Sequence, residues 1–182
     1  MTGAIISSLT RMRLINSGCV NEQSLFGGYF FRGNEMTPFG LYVLTQEYMD
    51  KYYIAKYPQD KETGERPFFF TFKEELNDIY WVIPISSKVE KYKPVIQKFP
   101  KSGVIYELYG SKESVILTQN IVPAKLEHFE REFTVNSIHY VLKDETIKHE
   151  VITRAKSIIA LIKHRDIPFF KEVKDLYNCF TK

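Results

Sequence analysis

Short apolar runs alternate with polar stretches along this chain, at lengths that fit strands first and helices later. Leu41-Tyr42-Val43-Leu44-Thr45 is rich in β-branched and aromatic residues and reads as a strand. Residues 46–53 follow as a short helix, with Thr45 placed to cap its N-terminus. Residues 57–66 (YPQDKETGER) are polar and turn-rich, which predicts a loop. Residues 67–72 and 79–87 are two strong strand candidates joined by a polar tip, as in a hairpin. Residues 104–109 and 114–122 predict a second hairpin, turning at 110–113. The remainder reads as helical. Ile147, Val151, Ala155, Ile158 and Ile162 recur with the 3.6-residue period, and Lys148, Lys156 and Lys163 fall between them. Pro168 stops or kinks that helix, and Phe169, Val173, Leu176 and Tyr177 mark a short terminal one. The pattern predicts an α+β fold: a compact, strongly bent antiparallel sheet with helices packed on it, including a C-terminal helical region.

Composition narrows the class. The chain has 182 residues, 44% of them hydrophobic and 15% aromatic, with a net charge of +3. That length fits one domain, and the apolar fraction argues against wholesale disorder. No apolar run approaches the ~20 residues that span a bilayer. The apolar start at Ala4 is followed by Arg11 and Arg13, the reverse of a secretory signal. Cys19 and Cys179 are too few for a disulfide framework, so the chain reads as cytoplasmic.

The N-terminus differs from the rest. Residues 1–50 contain no lysine, whereas residues 51–182 contain 18, and five of the nine glycines lie within 1–35. Arg32-Gly33, which AGG-GGN can encode, precedes Met36 as a ribosome-binding sequence would precede an ATG. The expectation is that residues 1–35 are a translated leader or a poorly ordered extension, and that 36–182 form the single domain.

Metal chemistry finds little support. His128, His139, His149 and His164 lack the spacing of a ligand set, and no CxxC occurs. Phosphate-binding G-x-x-x-x-G-K-[ST] and G-x-G-x-x-G loops and the G-x-S-x-G elbow are missing too. No cofactor is expected. The informative segment is Ile83-Pro84-Ile85-Ser86-Ser87-Lys88-Val89-Glu90-Lys91-Tyr92. An apolar strand there delivers two hydroxyls and two lysines at its C-terminal end. If a helical turn follows Ser87, Lys88 and Lys91 share a face, and free backbone N–H groups point at an anion. Such a corner suits a phosphodiester. The same residues fit another reading: Ser87-x-x-Glu90 matches a capping box, with Lys88 and Lys91 as solvated charges. Arg66, just before a strand, is placed to clamp a phosphate or merely to flank the strand. Tyr52, Tyr53, Tyr57 and Tyr92 offer faces for base stacking or for packing.

Taken in order, these segments resemble the endoribonuclease toxins of type III toxin–antitoxin and phage abortive-infection systems, the ToxN/AbiQ/CptN/TenpN group. The resemblance runs through Phe39-Gly40-Leu41-Tyr42-Val43-Leu44, Arg66-Pro67-Phe68-Phe69, Trp81-Val82-Ile83-Pro84-Ile85-Ser86-Ser87-Lys88 and Val115-Ile116-Leu117-Thr118-Gln119-Asn120-Ile121-Val122-Pro123. A long basic helix completes it, and about residues 39–180 are covered. The resemblance implies a barrel-like sheet related to the Kid/MazF toxins and a metal-independent endoribonuclease. It also implies inhibition by a small, repetitive, folded antitoxin RNA, with a cyclic toxin–RNA assembly as one form of the complex and mRNA as substrate. Carried over by position, Ser87 is the functional hydroxyl beside Ser86. The family lysine falls on Lys88 or Lys91, and Arg66 occupies the basic position. Tyr57 only approximates a tyrosine the family often has upstream. Cleavage would proceed through the RNA 2′-hydroxyl to a 2′,3′-cyclic phosphate and a 5′-hydroxyl. Lys148, Lys156 and Lys163 would extend phosphate contacts or form a solvated face. The rival readings are a non-catalytic RNA- or protein-binding module, or a MazF-like toxin with a protein antitoxin.

Overall fold

In the computed structural model, the structure describes residues 36–52, 67–74, 76–108 and 112–182. The expectations for residues 1–35 and for Tyr53, Tyr57 and Arg66 lie outside them. Nine strands and four α-helices follow in the order β1 (Leu41–Leu44), α1 (Gln46–Tyr52), β2 (Pro67–Glu74), β3 (Ile79–Ser86), α2 (Val89–Lys98), β4 (Val104–Leu108), β5 (Lys112–Ile116), β6 (Val122–Ala124), β7 (Phe129–Glu132), β8 (Thr134–Val135), β9 (Ile138–His139), α3 (Glu145–His164) and α4 (Lys171–Phe180) among the described residues.

Seven strands form one antiparallel sheet in the order β4-β5-β3-β2-β1-β7. β6 pairs with β3 off that path, and β8 and β9 make a separate hairpin. The α+β class is as expected; the sheet, however, stays open and does not close into a barrel. β3 is the spine. One edge pairs with β2, from Phe68 opposite Pro84 to Glu74 opposite Ile79. The other edge is shared by β6, at Tyr80–Val82, and β5, at Ile85 and Ser86. All eight β3 residues are buried, as the continuous apolar run requires of a strand covered on both faces. A bulge between Phe70 and Phe72 interrupts the β2–β3 ladder, and the Thr71 hydroxyl there donates to the Trp81 carbonyl at 2.7 Å.

The main core gathers Leu41, Tyr42, Phe68, Phe69, Trp81, Ile83 and Ile116 with Val151, Ala155, Ile159 and Ile162 of α3 and Val173 and Leu176 of α4. The 3.6-period stripe is therefore the buried face of α3, with Ile159 buried in place of the expected Ile158, which is only partly covered. Asp144 caps α3 by accepting from the Ile147 N–H at 3.0 Å. Thr45 does the same for α1, accepting from Tyr48 N–H at 3.1 Å.

Other expectations are corrected. The strand expected over 114–122 splits into β5 and β6 around a 3₁₀ turn at Thr118–Asn120. The region expected to be all helix contains β7, β8 and β9 before α3 begins. α3 ends at His164, before Pro168, which opens a 3₁₀ turn instead of kinking the helix. Gly40 is sterically required: a Cβ there would lie 2.6 Å from His139 Cε1, and the His139 ring bonds the Leu41 carbonyl at 3.0 Å.

Candidate active site

β3 ends at a corner whose two serines have different fates. Ser86 is the last strand residue, and the β3–β5 pairing Ser86↔Val115 buries it. Its Oγ accepts from the Lys88 N–H at 3.2 Å, a local serine turn that reverses the chain into α2. Alternation then points Ser87 outward, and it is exposed. The capping box expected from Ser87 and Glu90 is not formed. α2 starts one residue later, Lys88 is its N-cap, and no side chain caps it. The Ser87 hydroxyl makes no hydrogen bond to another described residue, so it faces solvent beside Lys88.

Ser87, Lys88, Val89, Glu90, Lys91 and Glu113 line an open depression of about 590 Å³. Lys88 and Lys91 occupy successive turns, with the Lys91 N–H donating to the Lys88 carbonyl at 3.2 Å. Both side chains are exposed. The two carboxylates of the rim belong to a third lysine: Lys93 Nζ lies 2.6 Å from Glu90 Oε1 and 3.3 Å from Glu113 Oε2. Hydrogen bonds donated by Lys93 to Glu90 and then to Glu113 hold its ammonium above the usual lysine range. Neither Lys88 nor Lys91 forms an ion pair with a described carboxylate. The corner combines a hydroxyl, two ammonium groups and the first N–H groups of a ten-residue helix.

Tyr92 is half-buried and, with Val89, packs α2 onto Val115 and Leu117, with Lys91 Nζ 5.5 Å from its ring. Lys148 pairs with Glu145 at 2.8 Å and sits 5.6 Å from the Phe39 ring. Lys156 is exposed on α3. Lys163 is engaged elsewhere: it bonds Glu74 and lies 4.8 Å from the Tyr177 ring. Of the predicted set, the structure brings together Ser86, Ser87, Lys88 and Lys91, and it separates Lys163 from them. Sequence reasoning missed Glu113 and Lys93, because only the pairing of β5 with β3 brings Glu113 to this rim. Among the described residues, no group of three or more His, Cys, Asp or Glu side chains is placed to hold a metal ion. None of their helices is long and apolar enough to cross a membrane.

An open antiparallel sheet flanked by helices, with a basic, hydroxyl-bearing corner at the end of its central strand, defines an α+β protein equipped to meet an anion. Searched by sequence, the chain matches no protein-family model and no curated protein. By fold it is similar to AbiQ, described as a lactococcal anti-phage endoribonuclease belonging to the type-III toxin–antitoxin system. The TM-score is 0.57 at 14% identity, over 76% of this chain and 96% of AbiQ. The similarity is one of fold, over about three quarters of the chain.

Proposed function

We propose that this protein is an endoribonuclease toxin of the type III toxin–antitoxin kind, cleaving single-stranded RNA at the Ser87–Lys88 corner. The observation that carries the reading is the grouping of an outward Ser87 hydroxyl with Lys88 and Lys91, neither of which forms an ion pair with a described carboxylate, on a fold similar to that of AbiQ. RNA contains its own nucleophile. The 2′-oxygen attacks phosphorus as its proton leaves, the bond to the 5′-oxygen breaks, and that oxygen takes up a proton. The products are a 2′,3′-cyclic phosphate and a 5′-hydroxyl, and no water is consumed. The protein's task is in-line orientation and stabilisation of charge on the non-bridging oxygens.

In this scheme the Lys88 ammonium and the Ser87 O–H bind the non-bridging oxygens, and Lys91 donates toward the leaving oxygen. Ammonium groups suit the task because they carry charge at neutral pH. Arg66 is assigned as a second phosphate clamp, since β2 begins at the end of the sheet where β3 finishes (Phe68 opposite Pro84). The protein would be held inactive by a folded, repetitive antitoxin RNA occupying the same corner without being cut, in a closed toxin–RNA assembly. Lys156 and Lys148 would add peripheral phosphate contacts.

The test is incubation of single-stranded RNA with the wild type, Ser87→Ala and Lys88→Ala in the presence of chelator, with analysis of product ends. Cyclic-phosphate ends formed by the wild type and reduced about 100-fold or more in Lys88→Ala are expected, since one lost charge-stabilising donor costs that order. DNA of the same sequence should remain intact, because it lacks the 2′-hydroxyl. Cleavage that needs added magnesium, or equal cleavage of DNA, overturns the mechanism. RNA binding without scission points to the non-catalytic module instead.

A further inference from the structure

The face of α2 that turns away from the sheet continues the corner along the molecule. Lys91, Val95 and Lys98 are spaced i, i+4 and i+7, which puts them on one stripe, and Lys88 and Phe99 flank its two ends. Phe99 is the C-cap, just past the last helical residue, with its N–H still donating to the Val95 carbonyl at 2.8 Å. The opposite face is committed to the protein: Val89, Tyr92 and Ile96 pack against Val115, Leu117 and Ile105. The stripe is therefore open to solvent, and two of its members are large apolar side chains left exposed, Val95 at 42% and Phe99 at 56%. Lys98 Nζ lies 5.5 Å from the centre of the Phe99 ring. Glu90, next to Lys91 on the rim of the corner, is paired with Lys93, which also holds Glu113. No described carboxylate partners Lys88, Lys91 or Lys98.

An exposed aromatic ring on a row of lysines that pair with no described carboxylate is costly to leave in water and unsuited to a protein partner, because interface cores are depleted of lysine. It matches a polyanion that carries planar rings. We propose that the outward face of α2 is the track along which single-stranded RNA leaves the Ser87–Lys88 corner, with Phe99 stacking a base and Lys91 and Lys98 taking phosphates. The inference rests on the function proposed above and deepens it. A single strand is specified because a duplex hides the faces of its bases, whereas an unpaired strand presents them to an aromatic side chain. Lys88 and Phe99 are separated by about 16 Å at ~1.5 Å per helical residue, so only an oligonucleotide that spans that distance reaches both.

The probe is a labelled twelve-nucleotide 2′-O-methyl RNA, which has no free 2′-hydroxyl and stays intact, with affinity read by fluorescence anisotropy. Phe99→Ala should bind it about tenfold more weakly, in the range of one lost stacking contact, and Phe99→Trp should restore wild-type affinity. Lys98→Ala should also weaken binding and make the salt dependence shallower by about 0.7 in log–log slope. Phe169→Ala, an exposed aromatic at the start of the C-terminal helical region, should bind as the wild type does. A trinucleotide of the same chemistry should bind wild type and Phe99→Ala alike. Unchanged affinity of Phe99→Ala and Lys98→Ala for the longer RNA overturns the track. So does a wild-type dimer that Phe99→Ala converts to a monomer with RNA affinity intact. RNA cleavage by the wild type, run in parallel, separates the failures. Cleavage with an unaltered Phe99→Ala affinity sinks the track alone, and loss of both cleavage and binding in the wild type sinks the functional proposal as well.

Discussion

Adjacent serines at the end of β3 do different work, and the difference is set by one residue of strand alternation. Ser86 faces inward and spends its hydroxyl on the Lys88 N–H, whereas Ser87 faces solvent. Ser86→Ala removes the acceptor that turns the chain into α2 and should lower stability by about 1 kcal/mol, the usual net value of such a bond. Ser87→Ala removes no bond to another described residue and should leave the denaturation midpoint where it is, while reducing RNA cleavage. Urea denaturation and an RNA cleavage assay on both variants check the pair. An unstable Ser87→Ala, or a Ser86→Ala as stable as wild type, contradicts the assignment. Ser-Ser-Lys was conspicuous in the sequence because chemistry-bearing side chains cluster there. Which hydroxyl is free depends on where β3 ends, and a helix cap at Ser87 was an equally good local reading.

At the scale of elements, the β2–β3 hairpin is fastened to the helices by a polar knot. Glu74 at the end of β2 accepts from Trp81 Nε1 at 2.7 Å and from the Tyr177 hydroxyl at 3.1 Å, and it pairs with Lys163 of α3. Trp81 in turn stacks on Tyr177 with ring centres 5.5 Å apart. Burial disfavours the Glu74 charge, but the hydrogen bonds from Lys163 and Trp81 and the Lys163 charge outweigh it and hold the carboxyl below its ordinary range. Lys163→Met should therefore leave a half-buried carboxylate without its cation and cost about 1–2 kcal/mol, reduced from a fully buried pair by partial exposure. Combining it with Glu74→Gln should recover part of the loss, and a double-mutant cycle by chemical denaturation measures the coupling. Additive effects would show that the two side chains do not interact. The hairpin was legible from its two dense apolar runs around a polar tip, and α3 from a 3.6-residue period held over its length. β6, with Pro123 inside it, and β7, Phe129-Glu130-Arg131-Glu132, carry no apolar period and exist because β3 and β1 supply the partners. α2 was only half visible, since Pro94 lies inside it and its buried face is just Val89, Tyr92 and Ile96.

For the molecule as a whole, one contribution to acid stability lies at a junction where distant parts of the chain meet. His128, on the 3₁₀ turn between β6 and β7, is enclosed by Tyr48 and Tyr52 of α1 and Phe180 of α4, at ring separations of 4.9, 5.6 and 5.1 Å. Its Nδ1 accepts from the Lys125 N–H at 2.9 Å, so the ring is neutral with its proton on Nε2. Burial, then the charges of Lys125 and Lys51, push its pKa down from 6.5 to about 4. Glu127 Oε1 lies 3.9 Å from Nε2, but that carboxylate is largely solvated and does not reverse the shift. Above pH 6.5 the ring is neutral whether the chain is folded or not, and it adds no pH dependence. Between 6.5 and about 4 the unfolded chain binds a proton that the folded one refuses. Stability should fall there by ~1.4 kcal/mol per pH unit, or about 3 kcal/mol across the window. Carboxyls held low, such as Glu74, lose their contribution only at more acid pH. His128→Asn can still accept from the Lys125 N–H but has nothing to titrate, so it should be less stable at pH 7.5 and flatter between pH 6.5 and 4.5. Denaturation midpoints of both proteins across that range decide the matter. Parallel acid limbs would mean that His128 takes up its proton without opening the junction, and that the α1–α4 contact is looser than the ring packing implies.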